Sequence, residues 1–113
     1  MMFYFQFLIR LGGFIVEIKK ELVGTTLTMN ILGRLDASNA QTLTNEINSS
    51  LSGVTELIFD FKDLKYIASA GLRALLTAQK RMNKQGTMKI RNVNDSVMEV
   101  LEMTGFSDLM NIE

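Results

Sequence analysis

The sequence predicts an α/β domain: a mixed sheet of four to five strands packed against three to four helices, in the order β-β-α-β-α-β-α-α. Three observations predict it. Apolar and polar residues alternate along residues 14–19 and 26–31, the period of a strand with one covered face. Apolar residues recur three or four apart along residues 40–51 and 72–82, the period of a helix with one buried stripe. Between them, Val54, Leu57, Ile58, Phe59 and Phe61 form a dense run with little alternation, as a strand covered on both faces would.

Taken in order, Phe14, Val16 and Ile18 alternate with Ile15, Glu17 and Lys19, and a turn at Gly24 leads into Leu27, Met29 and Ile31. These two strands should pair as a hairpin, the second closing at Gly33-Arg34-Leu35-Asp36. The first helix carries Ala40, Leu43, Ile47 and Leu51, with Asp36 or Ser38 to supply an N-cap oxygen and Ser49-Ser50 with Gly53 to mark its exit. After the apolar strand, residues 63–67 read as a loop into Ala68-Ser69-Ala70-Gly71. A second helix bears Leu72, Leu75, Leu76, Gln79 and Met82 and stops at Gly86. Met88 and Ile90 belong to a short strand. Asn94 or Asp95 caps a third helix bearing Val97, Val100 and Leu101, and Phe106, Leu109, Met110 and Ile112 complete a terminal helical turn. The alternation of strands and helices calls for crossover connections between parallel strands. With no proline in the chain, the loops are shaped by Gly, Asn, Asp and Ser.

Composition narrows the function. At 113 residues the chain is near the commonest domain size, and an apolar share of 47% supports a core without disulfides or metals. Twelve Lys and Arg balance twelve Asp and Glu, so no overall basic charge grips nucleic acid or anionic lipid; Lys19-Lys20 and Lys80-Arg81 read as solvated edges. The chain has neither Cys nor His. That removes the thiolate nucleophile, the imidazole base and the usual zinc ligands together. No phosphate-binding glycine loop is present, and Gly12-Gly13 alone does not make one. The carboxylate pairs Asp60 with Asp63 and Glu99 with Glu102 come without a nucleophile, base and oxyanion donor as a set. The eight methionines fall largely at core-like positions, where they fill gaps.

Residues 1–15 stand apart as an apolar N-terminal extension to a domain at 16–113. The run is interrupted by Arg10 and Gly12-Gly13, is too short for a membrane span, and lacks the early charge and cleavage site of a signal peptide. Two readings follow. The stretch is an extra strand or amphipathic arm that packs on the domain or on a second copy, giving a weak homodimer. Alternatively, translation starts at or near Val16, with Gly12-Gly13 encoded by a purine-rich ribosome site.

The segment from Asp60 to Gly71 is where chemistry is expected. A polar turn follows a buried strand and runs into a helix, which puts it at the carboxyl end of the sheet, where open α/β sheets place their sites. Ser69 has two compatible readings. As a cap, it accepts a backbone N–H at the helix start. As a phosphorylation site, it would place nearly two negative charges on the positive end of the helix dipole, beside small residues that admit a partner closely. Asp36 is likewise a helix cap or an acidic contact at the same sheet edge.

Three anchors in order resemble the STAS family, specifically the bacterial anti-sigma-factor antagonists, over about residues 15–112. Gly33-Arg34-Leu35-Asp36 is similar to the family's G-x-L-D turn. Residues 59–67, running into Ala68-Ser69-Ala70-Gly71-Leu72, are similar to its phosphoacceptor loop. Leu101-Glu102-Met103-Thr104-Gly105-Phe106 is similar to its helix-ending L-x-x-(S/T)-G-(L/F). The resemblance implies a cytoplasmic, non-enzymatic protein without a cofactor that works by partner switching. The unmodified domain binds an anti-sigma factor, often a serine kinase, and frees a sigma factor. Phosphorylation of a loop serine breaks that complex and a PPM-type, metal-dependent phosphatase restores it. The docking surface implied is Asp36, Ala68, Ser69, Ala70, Gly71, Leu72 and Arg73, with the helix onward to Met82. The loop departs from D-S-S-G, in which the modified serine precedes glycine: Ala70 takes that place and Ala68 that of the Asp. It is closer to S-S-A-G-L-R, with Ser69 as the sole local acceptor. An unmodified Ser69 would make the chain a constitutive antagonist or a scaffold module of another signalling or transport complex.

Overall fold

The structure, a computed structural model, describes the backbone of residues 2–11 and 14–113 and the side chains from Glu17 onward. The Gly12-Gly13 pair, on which the ribosome-site reading rests, lies outside the described residues.

Strands β1 (Met2–Leu11), β2 (Phe14–Val23) and β3 (Thr26–Leu35) form an antiparallel meander, with Met2 opposite Val23 and Val23 opposite Thr26. The β2–β3 hairpin turns at Gly24, whose φ of 61° favours a residue without a Cβ. Strand β4 (Glu56–Asp60) lies parallel to β3, and β6 (Thr87–Arg91) parallel to β4. The far edge is β7 (Asn111–Ile112), parallel to β6. Among the described residues, the path is β1-β2-β3-β4-β6-β7, and one further strand, β5 (Leu64–Ile67), pairs with β3.

Among the described residues, three helices cover the sheet. Helix α1 (Ala40–Ser50) buries Ala40, Leu43 and Ile47; α2 (Ser69–Met82) buries Leu72, Ala74, Leu75, Ala78 and Met82; α3 (Asp95–Met103) buries Val97 and Leu101. These stripes meet Ile18, Leu27, Met29, Ile31, Leu57, Phe59, Met88 and Ile90 from the strands in one cluster. At about 25 cal/mol per Å² of apolar surface, this cluster is the main stabilising term. Ile58 lies outside it yet is only 7% exposed, flanked in register by Thr28 and Lys89.

The hairpin, the three helical stripes and the central strands match the sequence pattern. Two elements differ. Residues 64–67 are a strand and not a loop. Leu64 and Ile67 are buried while Lys65 and Tyr66 between them are exposed. A bulge at Gly33/Arg34 breaks the pairing, which erases the period-2 signature. The C-terminal segment is a 3-10 turn at Phe106–Asp108 followed by β7, and not a continued helical turn. Gly105 at φ 79° reverses the chain, and Glu113 N–H donates to the Ile90 carbonyl at 2.8 Å to close the edge. Among the methionines, Met29, Met82, Met88 and Met110 are buried, whereas Met103 is 79% exposed.

Candidate functional site

The site is made by the way β3 shares one of its edges. Its first half, Thr26 to Asn30, pairs with β4; its last residues, Gly33 to Leu35, pair with β5. Between the two partners the chain turns through Lys62 and Asp63, where Leu64 N–H donates to Phe61 O at 3.0 Å and Gly33 N–H to Asp63 O at 3.0 Å. Asp60 anchors this turn, accepting from Lys62 N–H at 3.1 Å and from Asn92 Nδ2 at 3.0 Å. Burial pushes the Asp60 carboxyl up, but those two hydrogen bonds and the charges of Arg91 and Lys62 outweigh it, so its pKa lies below 3.8. As a result β3 and β5 end side by side, Leu35 opposite Ile67, with Ala68 N–H donating to Leu35 O at 2.9 Å. Asp36 and Ser69 each follow that tie by one residue. Sequence pattern placed both at one sheet edge, and the strand pairing brings their backbones together.

The caps differ from expectation. Helix α1 starts after Asn39, not after Asp36 or Ser38, and has no side-chain cap. Asn39 is 2% exposed, and its amide is committed elsewhere: Oδ1 accepts from Asp36 N–H at 2.9 Å and Nδ2 donates to Arg34 O at 2.8 Å. The Asp36 carboxylate instead closes a turn on Ser38, accepting its N–H at 3.0 Å and its hydroxyl at 2.6 Å. These two bonds, the hydroxyl first, hold the Asp36 pKa below 3.8 against slight desolvation, with help from Arg34. Helix α2 has Ala68 as N-cap with no side-chain cap, so Ser69 is the first helical residue and caps nothing. Its side chain is exposed. By contrast Asn94 caps α3 as expected, Oδ1 accepting from Val97 N–H at 2.8 Å.

Gly71 and Leu72 sit inward, and Arg73 faces solvent. A Cβ on Gly71 would lie 2.8 Å from Leu35 Cγ and 2.9 Å from Ile67 Cγ1. Glycine there lets the first turn of α2 seat on the two strand ends that carry the site. Beside it, an open groove of about 350 Å³ runs between α1 and α2, lined by Ala37, Ala40, Gln41, Thr44, Ala70, Arg73, Ala74 and Thr77. Of these, sequence resemblance singled out only Ala70 and Arg73 for partner contact. The Ala40/Thr44 and Ala70/Ala74/Thr77 spacings, small residues on facing helices, are the signal that could have found the rest. It also missed Arg34, whose guanidinium lies 4.5 Å from the centre of the Tyr66 ring.

Among the described residues, no group of three or more His, Cys, Asp or Glu could hold a metal ion, and no helix is long and apolar enough to cross a membrane. The described residues thus form a helix-covered mixed sheet, with an exposed serine at the start of α2 and a small-residue groove between α1 and α2. The chain belongs to the STAS domain family, whose model matches residues 17–113. It is 30% identical over 99 residues to BtrV of Bordetella bronchiseptica, named as an anti-sigma factor antagonist, covering 86% of this chain and 85% of that protein. Among solved structures, it is similar to an anti-sigma factor antagonist from Mycobacterium paratuberculosis, with TM-score 0.79 at 15% identity over 86% of this chain and 84% of that one. It is also similar to Bacillus SpoIIAA in its unphosphorylated form, with TM-score 0.68 at 19% identity over 85% and 86% of the two chains. The phosphorylated form of SpoIIAA gives TM-score 0.67 at 19% identity over 85% and 90%.

Proposed function

We propose that this chain is an antagonist of an anti-sigma factor: it binds a serine-kinase type of anti-sigma factor in the cytoplasm, frees a sigma factor, and is released by phosphorylation of Ser69. The observation that carries this reading is Ser69 itself, an exposed hydroxyl on the first residue of α2, one residue from the backbone tie that sets Asp36 beside it. Existence of a relative in phosphorylated and unphosphorylated forms supports it. A phosphoryl group on Ser69 would meet the positive end of α2 and tolerate folding, yet add about two charges to a surface of alanines. Docking residues are Asp36, Ala68, Ser69, Ala70 and Arg73; Gly71 and Leu72, expected beside them, are buried and seat the start of α2 beneath that surface. A PPM-type phosphatase resets the switch, and no catalytic role falls to the chain. Residues 1–15 are an appendage to the domain at 16–113. Among the described residues strand β1 pairs only with β2, which supports a second role for it as the seam of a weak homodimer.

The test is incubation of the purified chain with the kinase-type anti-sigma factors of its own genome and ATP, followed by phosphosite mapping. Phosphate on Ser69, absent in Ser69→Ala, is the expected result. Ser69→Asp should bind the same anti-sigma factor at least about tenfold more weakly while folding as stably as the parent, since the added charge suits a helix N-terminus. A stable complex without phosphate would replace the switch by a constitutive antagonist or scaffold. No complex with any of them would reject the antagonist reading.

A further inference from the structure

Charge is segregated along the chain in a way that its zero net value hides. Residues 68–91 hold Arg73, Lys80, Arg81, Lys84, Lys89 and Arg91 and no acid; residues 92–113 hold Asp95, Glu99, Glu102, Asp108 and Glu113 and no base. The two cations of β6 are answered on the sheet: Lys89 lies 3.6 Å from Glu56 and 3.4 Å from Glu113, and Arg91 lies 3.6 Å from Asp60. The four on and just after α2 are not answered. No ion pair among the described residues involves Arg73, Lys80, Arg81 or Lys84. Arg81 donates only to the Asn48 carbonyl, at 2.9 Å. Helix α1 opposite offers one acid, Glu46, already held by Lys20 at 2.6 Å.

Spacing aligns these cations with the groove. Arg73, Thr77, Arg81 and Lys84 recur at four, four and three residues, one face of α2 continued past its end. Arg73 and Thr77 line the groove, and the Arg81 bond to Asn48 bridges α2 to α1 further along. The floor is Ala37, Ala40, Ala70 and Ala74, which leaves room for a partner's side chains. Asp36, next in sequence to the lining residue Ala37, has its carboxylate turned onto Ser38 and under the charge of Arg34. The groove lining therefore carries one cation, Arg73, and no acid, with further cations along the same face of α2 and just past its end.

We propose that the α1–α2 groove is the seat of an acidic segment of the partner protein, whose carboxylates meet Arg73 and the Lys80–Lys84 cations. This rests on the antagonist reading for the partner's identity, and it adds the partner's chemistry and a reason for release. Arg73 stands four residues after Ser69, so a phosphate on Ser69 would compete with the partner's carboxylates for the guanidinium.

Two experiments separate the inference from the reading beneath it. The full chain, 15N-labelled, is titrated with a 16-residue helical probe peptide bearing Glu on one face and Ala and Leu on the other, and with its Lys counterpart. The Glu peptide should shift amides of residues 37–44 and 70–77. The shifts should vanish at 0.5 M salt and in Arg73→Glu, and the Lys peptide should leave those amides in place. Equal response to both peptides, shifts elsewhere, or none at millimolar Glu peptide would overturn the acidic seat. Affinity for the anti-sigma factor is then measured from 0.05 to 0.5 M salt. A loss of about tenfold or more, with a further loss in Arg73→Glu/Lys80→Glu, supports the same seat in the complex; a salt-independent affinity overturns it. A Glu-peptide response with no anti-sigma factor bound would keep the groove and reject the antagonist reading.

Discussion

Replacing Gly71 by alanine sets two effects of known sign against each other at the candidate site. Gly71 lies in the first turn of α2 with ordinary helical φ, so alanine should gain up to about 1 kcal/mol of helix propensity. Against it, the new Cβ would sit 2.8 Å from Leu35 Cγ and 2.9 Å from both Ile67 Cγ1 and Leu35 Cδ2. Two of these three atoms are interior carbons, fully buried and unable to swing clear. Overpacking of this kind costs about 1–3 kcal/mol. The loss should win, leaving Gly71→Ala less stable by about 1 kcal/mol, or about 4 °C in Tm for a chain of this length. Urea unfolding measures it, and Leu35→Ala supplies the control. That variant alone should lose about 2–5 kcal/mol, but combined with Gly71→Ala the two losses should fall short of additive by about 1 kcal/mol, because both close contacts with Leu35 are gone and only that with Ile67 remains. The strain also lifts the α2 start off the β3 and β5 ends, so partner affinity should fall in Gly71→Ala. A Gly71→Ala protein as stable as its parent, with additive losses in the double variant, would refute the close seating of α2 on which the site geometry rests.

Gly86→Ala should be worse, since its Cβ would lie 1.9 Å from the Thr55 carbonyl oxygen, backbone that also accepts from Thr87 N–H at 3.0 Å. A loss of about 3 kcal/mol in urea unfolding is expected, and less than about 1 would contradict the packing. Asn94→Ala removes the α3 cap on Val97 and the 2.7 Å bond to Leu64 O, costing about 2 kcal/mol; Asn94→Asp, which keeps the cap alone, should lose less. Both are read from the urea midpoint. The pH dependence has a worked sign. Asp36 and Asp60 have folded pKa values below 3.8, so the unfolded state takes up protons first as pH falls. Their contribution is fully present above about pH 5 and is lost as pH drops below 3.8 through the folded values. With no histidine, no imidazole adds a step between pH 5 and 8. Urea midpoints from pH 7 to 2.5 should fall only at the acid end, less steeply in Asp60→Asn; a step near pH 6 would contradict this.

Local pattern was enough for the parts whose physics is local. The 3.6-residue stripes of α1, α2 and α3, the Gly24 turn and the Asn94 cap each follow from a few neighbouring residues. So did the exclusion of thiol and imidazole chemistry, which needs only a count. Ser69 and Asp36 were legible as one sheet edge because both follow strands. What failed depends on partners distant in sequence. The β5 strand shows no alternation because its pairing is borrowed from the end of β3 across a bulge, and its two inward residues fall three apart. The terminal segment looked helical until β6 offered an edge. Asp36 does not cap α1 because its carboxylate turns onto Ser38, and Ser69 does not cap α2 because the helix begins at Ser69 itself, with Ala68 in the cap position.

Sequence by itself determined the element types, the buried stripes and the residue chemistry on hand, because periodicity and composition are properties of short segments. Tertiary structure alone decided that β4 and β5 share one edge of β3, which sets Asp36 beside the start of α2. It also decided that α1 and α2 leave a small-residue groove between them, with Arg73 in its lining. Both follow from strand register and helix docking, which sum contacts between residues some thirty positions apart that no window of sequence contains.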